Sequence, residues 1–317
     1  MAGSRGDMFK DAKIAVVVPA FNEERHIAGV IETMPPIVDH IFIIDDLSTD
    51  RTSEAAAEVA DARTEVIRHT VNKGVGAAIV TGHRRALKVG ADVVVVMAGD
   101  GQMDPEYLTS LLDPVVDGGY GFAKANRFFS ATSFAGMPRH RVFGNIVLTF
   151  MTKMASGYWN LVDPQNGYTA IRRDVLERMP LSQLAERYEF ENDQLIWLNI
   201  LNVRAVDVPI PAVYGNETST IQLHRVAPGL LRLLTLGFWR RIWRKYVLWS
   251  FSPIALLLFS GVLLLMAGVA VGIWAMFESL GPGSASTGTW LLAVAPALVG
   301  TQFLVQALVL DIQATPS

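Results

Sequence analysis

Acidic residues follow two strongly apolar segments in the N-terminal half of the chain. Asp45 and Asp46 come directly after residues 40–44, and Asp100 comes shortly after residues 92–97. Apolar runs of this length are typical of strands in a parallel sheet that is covered on both faces. Because ligands bind beyond the carboxyl ends of such strands, the three carboxylates mark a candidate ligand site. Polar clusters at strand ends also occur in other α/β proteins, so position is only the first argument for a site.

Arginine residues further along the chain indicate phosphate chemistry. Arg127 lies three residues after Lys124, and Arg139 and Arg141 belong to a second basic segment. A guanidinium group is planar and can bind a phosphate through two parallel hydrogen bonds. The three arginines therefore predict contacts with phosphate groups, and a solvated basic loop is the alternative interpretation.

The pattern of the first 125 residues predicts the elements that would position these side chains. Strands that are apolar almost throughout alternate with helical segments, which predicts an open, mainly parallel, Rossmann-like α/β sheet with helices on both faces. The predicted strands are residues 14–18, 40–44, 64–69 and 92–97, and the predicted helices are residues 22–34, 50–62 and 74–90.

Four motifs occur in order within this region. They are Pro19-Ala-Phe-Asn-Glu23, Asp45-Asp46-Leu-Ser48-Thr-Asp50, Asn72-Lys-Gly74-Val-Gly76 and Gly99-Asp100-Gly-Gln102-Met-Asp104. The ordered series closely resembles the family 2 glycosyltransferases over residues 13–215, and the resemblance implies their GT-A fold. After this region the chain ends in two long uncharged segments, described below, that predict a membrane hairpin. A polar body followed by such a hairpin resembles the polyprenyl-phosphate, or dolichol-phosphate mannose synthase-like, branch of that family.

The resemblance implies a nucleotide-sugar donor, either a UDP-sugar or a GDP-sugar. An aromatic face and carboxylates suit a base and the hydroxyl groups of a ribose. The residues that the resemblance places at the donor are Pro19, Ala20, Phe21, Glu23, Asp45, Asp46, Lys73, Gly74, Gly99 and Asp100.

The resemblance also implies a divalent ion, Mg²⁺ or Mn²⁺, that bridges the two donor phosphates. Asp100 matches the second acid of the family's Asp-x-Asp element, and Gln102 is implied as a second ligand. A small number of oxygen ligands suits Mg²⁺ when substrate phosphates complete its shell, and the ion would stabilise the leaving diphosphate. Ala98 replaces the first acid of the element, and Asp104 is either a compensating ligand or a helix cap.

Further motifs imply the residues of catalysis and acceptor binding. Asp163 begins a segment similar to one near the reacting centre in the lipid-phosphate branch, and Glu191 and Asp193 occupy the place of the family's general base. The catalytic residues implied are Asp100, Arg127, Asp163, Glu191 and Asp193. The residues implied at the acceptor phosphate are Arg139, Arg141 and Ser219.

Two long uncharged segments near the C-terminus predict membrane-spanning helices. Residues 253–277 and residues 290–310 contain no charged side chain, and a link rich in glycine and serine joins them. A helix as long as the first segment reaches about 37 Å, enough to cross a hydrocarbon core of about 30 Å. A buried helical hairpin in a soluble protein is the alternative interpretation.

Basic residues are confined to the chain before these segments. All 27 Lys and Arg residues lie at or before Lys245, which predicts a cytoplasmic N-terminal body by the positive-inside rule. On a helical wheel of residues 238–249, aromatic side chains share one arc, and Arg240, Arg241, Arg244 and Lys245 lie opposite. This arrangement predicts an interfacial helix whose cations lie near lipid phosphates. The predicted domains are a GT-A body (1–222), an interfacial amphipathic helix (223–250) and a membrane hairpin (251–317).

Composition argues against other functional classes. The net charge is −3 and cysteine is absent, which argues against nucleic-acid binding, a disulfide framework and thiolate chemistry.

The predicted function is inverting transfer of one sugar to a polyprenyl phosphate by an integral membrane protein, at the cytoplasmic face. One alternative is a membrane-bound transferase or synthase with a saccharide acceptor, in which Glu191 and Asp193 supply the base. Another alternative is a pseudo-transferase that binds a nucleotide-sugar or a partner but catalyses no reaction. Ala98, which replaces the first acid of the Asp-x-Asp element, suggests this alternative. The sequence leaves the oligomeric state open, a homo-oligomer included.

Overall fold

The polypeptide folds into two units, which divide between Phe238 and Trp239. The computed structural model describes residues 9–129, 139–211, 223–281 and 284–316, without the side chains of residues 139–143 and 223–226. The first unit contains an α/β sheet, and the second unit contains two long apolar helices.

A seven-stranded sheet forms the centre of the first unit. Its strands are β1 (Ile14–Ala20), β2 (His40–Asp45), β3 (Thr64–Arg68), β4 (Val93–Val96), β5 (Phe122–Asn126), β6 (Thr169–Arg172) and β7 (Ala205–Pro209). The strand order is β3-β2-β1-β4-β6-β5-β7. Strand β6 runs antiparallel to β4 and β5, and the other neighbouring pairs of this sheet are parallel. The sheet is mainly parallel, which confirms the predicted fold class.

Helices cover both faces of this sheet. Among the described residues, the α-helices are α1 (Ile27–Glu32), α2 (Thr52–Glu58), α3 (Val75–Val89), α4 (Leu108–Val116), α5 (Arg139–Ser156), α6 (Arg173–Arg178), α7 (Phe190–Ile200), α8 (Leu223–Arg241), α9 (Pro253–Ser279) and α10 (Thr287–Gln313). Ala15 and Val17 of β1 pack in a cluster with α3 and α7, whereas Val16 and Val18 pack in a second cluster with α1 and α4. Because side chains alternate between the faces of a strand, burial of both faces explains why β1 is apolar throughout.

Helices α9 and α10 dominate the second unit. Ser252 caps α9 by accepting a hydrogen bond from the Ile254 amide, and Ser286 caps α10 by accepting one from the Thr289 amide. Each helix has 27 residues and is long and apolar enough to cross a membrane. Large apolar side chains along both helices are exposed, and Leu263 and Leu292 are each 65% exposed. A helix in a soluble core would bury such side chains, so their exposure favours the membrane interpretation.

The segment before α9 differs from the predicted interfacial helix. Helix α8 ends at Arg241, and Ile242–Leu248 continue as a π-helix. Trp243 and Trp249 are exposed, as expected for rings at headgroup depth, but Arg241 is fully buried. The expectation that Arg241 faces lipid phosphates is therefore wrong, because its guanidinium binds Asp311 of α10 at 2.6 and 3.0 Å. A paired anion offsets the cost of burying a cation, and this partner lies 70 residues away in the sequence.

Candidate active site

The carboxyl ends of β1, β2 and β4 lie at one edge of the sheet, because these strands are parallel neighbours. The loop after β4 packs against the end of β1, where the Gly99 amide donates a hydrogen bond to the Pro19 carbonyl at 3.3 Å. A Cβ atom at Gly99 would lie 3.3 Å from the Ala20 Cβ and 3.5 Å from the Glu23 Cγ. The side chain of Phe21 is exposed. The structure thus brings the predicted donor residues of the first and fourth motifs to the same edge.

Asp45 ends β2 and is fully buried. Its Oδ1 accepts the Ser48 amide at 2.7 Å. Its Oδ2 accepts the Ser53 hydroxyl and lies 3.4 Å from the Nε of Arg68. Protein groups therefore hold this carboxylate and close the turn of the second motif, and its contact with a donor stays a prediction.

Asp46 joins the second motif to the third. Its Oδ1 accepts the Lys73 amide at 2.9 Å and lies 2.8 Å from the Nδ1 of His69, and its Oδ2 accepts the Gly74 amide at 2.6 Å. Gly74 has a φ of +98°, and a Cβ atom there would lie 2.6 Å from the Glu186 carbonyl oxygen, so only glycine fits. Asp46 therefore fixes the backbone of the loop that carries Lys73 and Gly74, whose donor contacts stay predictions.

Asp100 lies in the loop after β4 and is partly exposed. Its Oδ1 accepts the Gln102 amide at 3.0 Å, which closes a tight turn. Asp104 is used differently, because its Oδ1 accepts the Glu106 amide at 2.9 Å and caps the short helical turn that follows. The helix-cap interpretation of Asp104 is therefore the one that its contacts support.

The loop after β4 offers few metal ligands. Within the described ranges, no group of three or more His, Cys, Asp or Glu side chains is placed to hold a metal ion. Asp100 provides a carboxylate and Gln102 an amide oxygen, whereas Ala98 provides only a backbone amide, which donates to the Met103 Sδ at 3.1 Å. Mg²⁺ and Mn²⁺ accept such a small oxygen set when substrate phosphates complete the shell. The residues present therefore fit an ion that is shared with a diphosphate.

An ion pair joins the predicted catalytic residues Arg127 and Asp163. The Nε of Arg127 lies 2.7 Å from Oδ2 of Asp163, and its Nη2 lies 3.1 Å from Oδ1. The side chain of Asp163 is 1% exposed, whereas that of Arg127 is 36% exposed. Burial alone would raise the pKa of Asp163, but the hydrogen bonds from Arg127 and the charge of Lys124 hold it below its usual value. Asp163 is therefore an anion that orients a partly exposed guanidinium.

Glu191 lies at the start of α7, beside the segment that Asp163 begins. A Cβ atom at Gly167 would lie 3.7 Å from the Oε1 of Glu191 and 3.5 Å from the Cε of Met103, so α7, this segment and the loop after β4 meet at Gly167. Burial raises the pKa of Glu191 to about 7, and the charge of Lys124 partly opposes this effect. A carboxyl group that titrates near neutral pH can exchange a proton with a reacting group.

Asp193 has different surroundings from Glu191, although the sequence treats the two acids alike. It is buried, and its Oδ2 accepts the Ala185 amide at 3.0 Å. The segment fixed in this way contains Ala185 and Glu186, against whose backbone the loop at Gly74 and Gly76 packs. Asp193 thus has a structural contact, and its catalytic role stays a prediction.

Three neighbours of the site received no role from the sequence. Met103 lies within the fourth motif, but nothing in the sequence gives its side chain a role, and only the tertiary structure brings His69 to Asp46. Lys124 does carry a signal, since it is a charged residue in the middle of the otherwise uncharged β5. The side chains of Arg139 and Arg141 and the whole of Ser219 lie outside the described residues, so their contacts with an acceptor phosphate stay predictions.

Curated relatives cover the same region of the chain. UDP-N-acetylglucosamine–dolichyl-phosphate N-acetylglucosaminyltransferase of Methanococcus voltae is 29% identical over 219 residues, which are 64% of this chain and 87% of that protein. Polyprenol monophosphomannose synthase of Mycolicibacterium smegmatis is 34% identical over 203 residues, which are 62% of this chain and 75% of that protein.

A solved structure shares the fold. Glucosyl-3-phosphoglycerate synthase of Mycobacterium tuberculosis, in complex with Mn²⁺, UDP and phosphoglyceric acid, superimposes with a TM-score of 0.54 at 22% identity over 73% of this chain and 79% of that chain. Residues 15–179, more than half of the chain, match the family described as glycosyl transferase family 2. Together with the 34% identical relative, this match confirms the resemblance drawn from the motifs. The chain is a family 2 glycosyltransferase, related to the polyprenyl-phosphate sugar transferases.

Proposed function

We propose that this protein transfers a sugar from a nucleotide-sugar to a polyprenyl phosphate, with inversion at the anomeric carbon. The observation that carries the proposal is the pair of Arg127 and Asp163, because an oriented and partly exposed guanidinium suits a phosphate at the reacting centre. The two apolar helices support it, since they would keep the chain at the bilayer that contains such a lipid. The activities named for the two curated relatives support it as well.

The donor would bind along the edge formed by the ends of β1, β2 and β4. The exposed ring of Phe21 suits stacking on a nucleoside base. A Mg²⁺ or Mn²⁺ ion held by Asp100 and Gln102 would, when bound, stabilise the negative charge of the leaving diphosphate.

The acceptor in this proposal needs no general base. By analogy with phosphorylated side chains, the second pKa of a monophosphate is about 6, so at neutral pH the group is largely a dianion. Its oxygen would form a bond to the anomeric carbon while the bond from that carbon to the diphosphate oxygen breaks, and this single displacement inverts the configuration. The protein must then align two anionic reactants, and Arg127 held by Asp163 supplies such alignment.

The proposed orientation places the glycosyltransferase unit on the cytoplasmic side. All Lys and Arg residues precede the first apolar helix, and the two formal charges after Lys245 are Glu278 and Asp311. The positive-inside rule then favours a cytoplasmic position for the basic segment that ends at Lys245. Cysteine labelling at the link between α9 and α10 in sealed membranes tests this orientation, because the link should react only from the outside.

A saccharide acceptor is the second candidate, and Glu191 is the observation that favours it. A sugar hydroxyl must lose its proton to a positioned base in the transition state. The carboxyl of Glu191, whose pKa burial raises to about 7, is suited to accept that proton. The product would then be an oligosaccharide or polymer instead of a glycolipid.

A partition assay separates these two functions. The full-length protein in detergent is incubated with Mn²⁺, a short polyprenyl phosphate and a panel of radiolabelled UDP-sugars and GDP-sugars. We expect label to enter the organic phase with one donor, and to stay aqueous when the matched polyprenol without phosphate replaces the acceptor. Label that stays aqueous with every donor, or that enters a saccharide product, would overturn the lipid-phosphate proposal.

A further inference from the structure

A lysine is buried among the proposed catalytic residues. Lys124 is the middle residue of β5, and its backbone lies in register between Thr169 of β6 and Asp207 of β7. The residue is 1% exposed, and its Nζ has no hydrogen-bond partner within the described part of the chain. An ammonium group carries three donors, so leaving it buried without an acceptor is unfavourable unless nearby charges compensate.

Compensating charges come from several elements around Lys124. Carboxylates on the segment before β6, on β7 and on α7 act on its ammonium group, and a guanidinium after β5 opposes them. Burial is the largest effect and lowers the pKa of the Lys124 ammonium group, and the charges follow in the order Asp163, Asp207, Arg127 and Glu191. More distant groups act on the carboxylates themselves: Lys153 of α5 acts on Asp207, and Glu189 acts on Glu191. Within this set, Lys124 is the cation that Asp163, Asp207 and Glu191 share.

We propose that Lys124 is a positioning residue of the sugar-transfer reaction. Its buried charge adds to the hydrogen bonds from Arg127 that hold Asp163 as an anion, and it reduces the negative charge that Asp163 and Glu191 present to phosphate-bearing substrates. The proposal rests on the proposed function and adds to it a residue that touches no substrate. The side chain acts through its field, because its ammonium group is bonded to none of the three carboxylates.

The electrostatics of the site give this role a physical reason. The donor diphosphate and the acceptor phosphate are both anionic, and each carboxylate nearby repels them in a site of low dielectric constant. Arg127 is engaged with Asp163 and is partly exposed to solvent, which screens its charge. Lys124 is shielded from solvent, so its charge is screened less and reaches each carboxylate more strongly.

A structural role for Lys124 makes a different prediction. Asp207 is its direct neighbour in the sheet, and the Oδ1 of Asp207 also has no hydrogen-bond partner among the described residues. The Oδ2 of Asp207 accepts the Val162 amide at 2.6 Å, which an asparagine at this position can still accept. If Lys124 served only to balance Asp207, removal of both charges would restore the protein completely.

The test compares Lys124→Met with the double variant Lys124→Met/Asp207→Asn. Lys153→Met is the matched control, because Lys153 is a half-buried cation that acts on Asp207 and bonds to the Trp159 carbonyl. We expect Lys124→Met to lower kcat by about 100-fold and to move the acid limb of the kcat profile up by about one pH unit. The double variant should regain the thermal midpoint of the wild type but neither its rate nor its pH profile. The control should keep the wild-type rate and profile.

The contrary outcomes are distinct from one another. If the double variant has the wild-type rate and pH profile, Lys124 serves only to balance the charge of Asp207. If Lys124→Met leaves the kinetics unchanged, Lys124 has no role in the sugar-transfer reaction. If neither variant folds, Lys124 is a requirement of the fold and the proposal is overturned.

A substrate-free measurement separates this inference from the proposed function. The thermal midpoint is recorded against pH, and the pH range in which Glu191 loses its proton should move upward in the double variant. If this shift occurs and no lipid product forms, the proposed function fails and the electrostatic role stands. If lipid product forms normally and neither the shift nor the kinetic change occurs, only the role of Lys124 fails.

Discussion

Asp163 binds Arg127 through both carboxylate oxygens, with the Nε at 2.7 Å and the Nη2 at 3.1 Å. The backbone amide of Arg127 also donates to Oδ2 of Asp163, at 3.2 Å. The acid is buried and the guanidinium is partly exposed, so the pair fixes the plane of a cationic group that can still meet a substrate. This relationship turns two separate motifs of the sequence into one functional unit.

The first prediction concerns the shape of this cation. Arg127→Lys keeps the positive charge but cannot form the bidentate contact with Asp163, so the cation is misplaced. We expect kcat to fall by about 100-fold while the folded protein remains. Arg85→Lys is the control, because Arg85 is similarly exposed and also pairs with a carboxylate, that of Glu65. Equal effects of the two substitutions on the initial rate of sugar transfer would contradict the prediction.

The second prediction concerns the metal. Of the two proposed metal ligands, Asp100 and Gln102, only Asp100 has a carboxylate, and Asp100→Asn removes it. The stabilisation of the protein by UDP and Mn²⁺ in a thermal-shift assay should therefore be lost. In the wild type, UDP at about 100 times its Kd should stabilise the fold by about 2.7 kcal/mol, and Ala98→Asp should lower the Mn²⁺ concentration required. Asp113→Asn, at an exposed ion pair with Lys10, is the control. A normal Mn²⁺ response in Asp100→Asn would remove Asp100 from the metal site.

The third prediction concerns pH and stability. Burial raises the pKa of Glu191 to about 7 in the folded protein, above its ordinary value of 4.5. The folded state therefore binds this proton more tightly, and the resulting stability is complete below pH 4.5 and is lost as the pH rises through about 7. In the wild type, we expect the titration of Glu191 to change the thermal midpoint by about 5 °C. Glu191→Gln should abolish this part of the pH dependence. An exposed acid serves as the control, and Glu58→Gln should leave the wild-type dependence in place.

The fourth prediction concerns the second unit. Arg241 and Asp311 are a buried ion pair, and Tyr246 also donates to Asp311 at 2.6 Å. Asp311→Asn leaves the arginine without its anion and should cost about 3 kcal/mol, measured as a lower thermal midpoint in detergent. Replacement of both residues by Arg241→Met/Asp311→Leu should recover most of the loss, because no charge stays buried. Glu278→Gln, at the exposed end of α9, should have little effect, and a larger loss there than at Asp311 would refute the assignment.

The sequence alone was sufficient to predict several strands and helices of the fold. Strands β1, β2 and β4 could be predicted because burial on both faces requires an almost uninterrupted apolar run, and helices α9 and α10 because exposure to lipid requires a long one. The four motifs were sufficient for the family, which the comparisons confirm. The antiparallel strand β6 between β4 and β5 could not be predicted, because strand order depends on contacts between distant segments.

The roles of individual side chains depended on the tertiary structure. Glu191 and Asp193 are two residues apart in the sequence, yet only their packing shows that one titrates near pH 7 and the other holds the Ala185 amide. Asp46 was a candidate for donor binding by position, and the structure shows its carboxylate on the backbone of Lys73 and Gly74. The apolar pattern of a segment is fixed by its own residues, because burial acts on each side chain. The state of a charged group depends on partners that are distant in the sequence, as Asp311 is from Arg241 at 70 residues, and only the folded chain brings those partners together.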